Sequence, residues 1–207
     1  MLLATKLMGA NKILTFVSSA KGVTSIASMP AHQAGDFLVA FAAYNSPSVT
    51  PTLPSGWTSF TTRSGSTSGV GTAVAYKVAT SDTETSGTWT NSHGLILCVY
   101  RNSSGMTNAR TLVSSASVVS VVYSAITTMA YPGTSFALGV AATKTGSISG
   151  ISTPPTGSVN RESIANANVS MAFADTNQGV STINQSSVPA YATISGYNSV
   201  RIELKQT

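Results

Sequence analysis

GDFLVAFAAYN (residues 35–45) is apolar over almost a full strand, and GTSFALGVAAT (133–143) repeats it at an offset of 98. A continuous apolar run bounded by turn residues predicts a strand buried on both faces. Its recurrence predicts a unit built twice, and the surrounding sequence agrees. Pro54 and Gly56 of LPSGW (53–57) return as Pro155 and Gly157 of PPTGS (154–158), an offset of 101. Val74, Ala75 and Tyr76 face Met171, Ala172 and Phe173, an offset of 97. In TWTNSHGLILCVYR (88–101) and YATISGYNSVRIELK (191–205), Leu95 and Leu97 face Val200 and Ile202, an offset of 105. Segments that recur in one order at near-constant spacing mark an internal repeat, with halves at about 33–102 and 131–205.

Composition sets the class. Of 207 residues, 42% are hydrophobic, enough for a real core, but only 8% are charged, against roughly 25% in ordinary soluble domains. The polar surface comes instead from 33 Ser and 28 Thr. Small hydroxyls with many Val, Ile and Tyr favour strands and tight turns, and surface helix formers are scarce. Further strands are predicted at 13–17, 57–63, 71–80, 86–91 and 94–102, and SSASVVSVVYSAITTMAY (114–131) forms two strands or one long bent one. Each half has an apolar face that must be covered, and the simplest solution packs the halves together. The expected fold is all-β, a single jelly-roll-like antiparallel β-sandwich built from two repeated halves. Residues 23–207 make the sandwich and 1–22 an N-terminal arm or edge strand.

The net charge of +5 is spread along the chain without a phosphate-tracking cluster, so a nucleic-acid partner is not expected. Three lysines, Lys6, Lys12 and Lys21, precede the first acid, Asp36, and make the leading segment a candidate for docking on an acidic neighbour. The single cysteine, Cys98, lies in LILCVY and reads as a small buried hydrophobe. No apolar run approaches the roughly 18 residues of a spanning helix, so no membrane partner is expected. The apolar part of the first 22 residues is too interrupted for a signal peptide.

Parts for catalysis are few. His32 and His93 sit in turn-like segments without a nucleophile motif. Asp82 and Glu84, the one close acid pair, are too few for a calcium site, and no spacing supports a glycosidase carboxylate pair. No C-x-x-C, His cluster, phosphate loop or dinucleotide fingerprint is present, so no catalytic residue, metal or cofactor is expected. Trp57 and Trp89 remain, as sandwich plugs or as contacts for a sugar or a protein.

The succession GDFLVAFAAYN, LPSGWTSF, GTAVAYKVAT, TWT and LILCVYRN resembles a β-sandwich domain common in phage virion proteins and in large bacterial surface proteins. There a "PPAGW" corner, a "YKVA" strand, a "TWT" strand and an "AYRG"-like strand follow one another before a degenerate second half. This chain departs at YRNSSG and lacks the aromatic in its second corner. The resemblance covers about residues 33–205 and implies a setting rather than a reaction. The expected protein is a non-enzymatic capsid decoration (cement) protein, assembled into virions in the host cytoplasm. Its expected partners are the major capsid protein, other virion proteins and further copies of itself. The alternative is a tail-fibre or tail-tip module recognising host glycan. Candidate partner-binding residues are Lys6, Lys12, Lys21, Trp57 and Trp89.

Overall fold

The computed structural model describes residues 12–25, 27–64, 69–115, 117–144 and 153–207, apart from the side chains of 190–192. Strands follow one another without a helix among these residues: β1 (Thr15–Gly22), β2 (Phe37–Tyr44), β3 (Thr58–Arg63), β4 (Gly71–Val78), β5 (Gly94–Arg101) and β6 (Ser103–Ser114). The remainder are β7 (Val118–Tyr123), β8 (Phe136–Lys144), β9 (Val159–Ala165), β10 (Val169–Asp175), β11 (Ser186–Ile194) and β12 (Tyr197–Gln206). They form two five-stranded sheets, β1-β5-β2-β4-β3 and β6-β12-β8-β10-β9, and a two-stranded ribbon of β11 and β7. All the pairings are antiparallel.

The fold is therefore an all-β sandwich. The chain completes one sheet by Arg101 and begins the other at Ser103. The two strand orders are the same once β1, β5, β2, β4 and β3 are matched to β6, β12, β8, β10 and β9. Both Pro-x-Gly corners make the same turn, with the N–H of Trp57 on Pro54 O and that of Ser158 on Pro155 O. Gly56 and Gly157 sit at φ 84° and 77°, where a Cβ would be strained, which is why glycine recurs there.

Between the sheets lie Phe37, Val39, Phe41, Ile96, Cys98 and Tyr100 from one side and Leu138, Val140, Met171, Phe173, Ile202 and Leu204 from the other. The opposite faces are also covered, which explains the unbroken apolar runs. On the first sheet, small residues at Ala40, Ala42, Ala73 and Ala75 leave room for Trp57 and Trp89. On the second, Ala141 and Ala172 lie in one cluster with Val121, Tyr123 and Val188 of the ribbon.

Several sequence expectations shift. Phe37 pairs with Tyr100 and Phe136 with Leu204, so Ile96 and Cys98 are the counterparts of Val200 and Ile202. The match of Leu95 and Leu97 was one residue out, and in a strand a one-residue slip turns every side chain to the other face. Residues 86–91 form no strand beyond a bridge between Thr52 and Thr90. The first strand runs from 15 to 22 instead of 13 to 17, and 114–131 contributes the end of β6, then β7 and a bridge from Ile126 to Ile183.

The corrected register explains the missing second-corner aromatic. Ser158 stands where the first half has Trp57, and Arg201 where it has Leu97. The Arg201 guanidinium reaches Ser158 Oγ at 3.4 Å and Ser186 Oγ at 3.0 Å and lies over the Tyr123 ring, filling from the strand side what an indole fills from the corner. Arg201 is fully buried with no carboxylate partner among the described residues, and burial lowers its pKa to about 10.

Candidate functional site

One end of the sandwich gathers the starts of β1, β2 and β8 and the ends of β5, β10 and β12. It is built on buried charge. Asp36, at the entry to β2, accepts from Arg101 Nε at 2.8 Å and Nη2 at 2.9 Å, and from the N–H of Gln33 at 3.0 Å. Asp175, the last residue of β10, is fully buried and takes Arg161 Nε at 2.7 Å, Arg161 Nη2 at 2.8 Å and the Tyr100 hydroxyl at 2.7 Å. Arg161 also stacks on Phe16, 4.0 Å from the ring centre. Glu203 accepts from the N–H groups of Ala130 and Tyr131, both at 2.8 Å, and from the Asn108 amide at 2.6 Å.

These contacts tune ionisation in one direction. Burial alone would raise the Asp36 carboxyl, but Arg101 and the Gln33 N–H outweigh it and hold it below the ordinary value. For Glu203 burial is likewise overcome by the Ala130 and Tyr131 N–H groups and the Asn108 amide. Elsewhere, Glu84 is brought down to about 2 because Lys77 and Thr80 outweigh its burial. A carboxyl lowered in the folded state stabilises fully above its unfolded value and loses that contribution as pH falls towards its folded value. His93, stacked on Tyr44, is lowered by burial and adds a smaller loss of the same sign below its ordinary value of 6.5. The thermal midpoint is expected to be level from about pH 7 to 8, to dip slightly below 6.5, and to fall below about 4.5, where the unfolded chain takes up protons that the folded carboxylates still exclude. Calorimetry at stepped pH checks this, and a midpoint unchanged at about pH 3 contradicts it.

Between these groups the surface opens into two neighbouring depressions. A groove of about 620 Å³ is lined by Ile13, Leu14, Phe16, Gly133, Phe136 and Asn177 among others. A Cβ on Gly179 in its wall would fall 2.1 Å from the carbonyl oxygen of Gly133, so only glycine closes the backbone there. A polar cleft of about 250 Å³ lies beside it, with Lys12, Gln33, Asp36, Arg101 and Asn102. The wall between them is tied by Asn102 Nδ2 donating to Ile13 O at 2.8 Å and by the Thr207 N–H donating to Asn102 O at 2.9 Å. Ile13, Val78, Tyr131 and Val159, four of the seven large exposed hydrophobics among the described residues, sit at this end.

The structure disperses the sequence candidates. Lys6 lies outside the described residues. Lys12 is exposed and lines the polar cleft. Lys21, in edge strand β1, is tied to Glu162 at 3.0 Å and to Ser163 O at 2.9 Å, so it serves the packing of β1 on β9. Trp89 is fully buried and Trp57 is 9% exposed, which corrects any reading of them as a surface platform. Both indole N–H groups donate to Ser86 O, at 3.2 and 3.1 Å, and the rings pack edge to face. His32 turns to Pro30 O, and Glu84 turns to Lys77 and Thr80 rather than joining Asp82. Among the described residues no group of three His, Cys, Asp or Glu is placed to hold a metal. The groove itself had no sequence signal, because its lining comes from four separate segments. No family model, curated protein or solved structure matches the chain.

Proposed function

We propose that the protein is a structural component of a bacteriophage virion, a decoration (cement) protein that stabilises the head shell by binding capsid proteins as an oligomer. The observation that carries this reading is a set of exposed apolar side chains at one end, which also carries a groove lined by the first of them: Ile13 is 70% exposed, Val78 54%, Tyr131 48% and Val159 46%. Exposed apolar residues gathered beside a groove are characteristic of a protein–protein contact, whereas single ones need no explanation. The resemblance of the GDFLVAF, PSGW, YKVA and TWT succession to virion sandwiches gives that contact its setting. The glycan-binding alternative loses the two residues on which it rested, since Trp57 and Trp89 serve the interior.

Cryo-microscopy of purified particles tests the reading. On the proposal the sandwich appears in many symmetric copies on the head, and particles lacking it fail at lower temperature. A sandwich confined to the tail tip, or particles without it that are equally heat-resistant, rejects it.

A further inference from the structure

We propose that this end binds an extended, acidic segment of a partner protein, with an apolar side chain in the groove and a carboxylate over the polar cleft. The inference rests on the protein-contact reading above and gives that contact its chemistry.

The argument is one of charge placement. Three carboxylates of this end point inward: Asp36 is 1% exposed, and Asp175 and Glu203 are fully buried. Each is already saturated, by Arg101 and Gln33, by Arg161 and Tyr100, and by Ala130, Tyr131 and Asn108 respectively. Arg161 is spent on Asp175, but other cations of this end reach the surface. Lys12 lines the cleft with no carboxylate partner among the described residues. Arg101 is 39% exposed in its side chain and spends two N–H groups on Asp36, which leaves three of the five that a guanidinium carries. Lys205 lies over the ring of Tyr131, whose turn carries the groove residues Gly133 and Thr134. An incoming carboxylate therefore meets Lys12 and the remaining Arg101 N–H groups, and the carboxylate in the cleft lining, Asp36, is already paired with Arg101; a basic segment finds no such partner.

The groove supplies the apolar half. Leu14, Phe16 and Phe136 line a space roomy enough for a leucine or phenylalanine side chain, and the shared wall at Ile13 and Asn102 places the cleft directly alongside. Adjacent residues of an extended chain point to opposite sides and alternate ones to the same side, so alternating acidic and apolar residues suit the two depressions.

Amide NMR titration tests this at concentrations where even millimolar binding registers. The probe is acetyl-Asp-Leu-Asp-Leu-Asp-amide, compared with the peptides that replace every Asp by Lys or every Leu by Ser. The first is expected to shift amides of residues 12–16, 133–136, 177–179 and 206–207, and the other two to leave them in place. Lys12→Glu should weaken binding about fivefold or more, whereas Lys144→Glu, at the far end of β8, changes net charge equally and should leave it within about twofold. No shift of these amides, equal shifts from the lysine peptide, or equal losses from the two variants overturns the proposal. The outcomes stay separable from the functional reading. A virion protein that gives no shifts keeps its function and loses this inference, and a protein absent from virions that gives them does the reverse.

Discussion

Asp175→Asn is expected to cost the fold about 3–5 kcal/mol. Asparagine keeps the shape and can still accept from Tyr100, but it removes the charge that balances Arg161. That guanidinium is 11% exposed, holds both carboxylate oxygens and is pressed against Phe16, so it has little water to turn to. The Tyr100 hydroxyl, whose pKa is pushed far up by burial and then by the neighbouring carboxylate, loses its charged acceptor at the same time. Urea unfolding followed by intrinsic fluorescence measures the loss. The companion change Asp36→Asn calibrates it: Arg101 is 39% exposed and can rehydrate, so the cost there should be about 1 kcal/mol. Equal effects at the two sites would show that burial does not set their difference.

Trp89→Ala is expected to cost about 3–5 kcal/mol, because the indole is fully buried and alanine leaves a cavity that rigid strands beneath cannot close. Its neighbours under the ring, Ala40, Ala42, Ala73 and Ala75, are too small to move into the space. Trp57→Ala should cost somewhat less. That ring is 9% exposed, and part of its cover is the Lys77 ammonium, 5.2 Å from the ring centre. Both variants should fail in thermal unfolding before any binding assay is informative. A Trp89→Ala protein with an unchanged midpoint would remove the indole from the core.

The two indoles also show what the sequence makes legible. A Pro-x-Gly corner followed by Trp reads equally as a plug or as a platform. The choice is made by alanines on β2 and β4, which look like ordinary strand residues until the outer face is known to be covered. The central strands were readable because burial on both faces leaves a continuous apolar run. Strand β6 was not: SSGMTNARTLVS is a polar edge strand with an irregular register, and Gly105 and Asn108 adopt positive φ in it. The cluster of Tyr100, Arg161 and Asp175 was equally hidden, since its hydroxyl and its carboxylate are 75 residues apart and meet only through the packing of the sheets. Asp175 in isolation looks like a solvated strand end.

One consequence follows from the order in which the sheets are made. The first is complete at Arg101, and only Asn102 separates it from the start of the second. At about 5–20 residues per second, a ribosome needs some seconds more to supply the second. Throughout that interval Phe37, Val39, Phe41, Ile96 and Tyr100 of the nascent chain have no opposing layer. The newborn half is thus a greasy monolayer in need of a chaperone or of its own second half. Yield in a cell should therefore depend on the pace of translation through β8 to β12, where the missing layer is made.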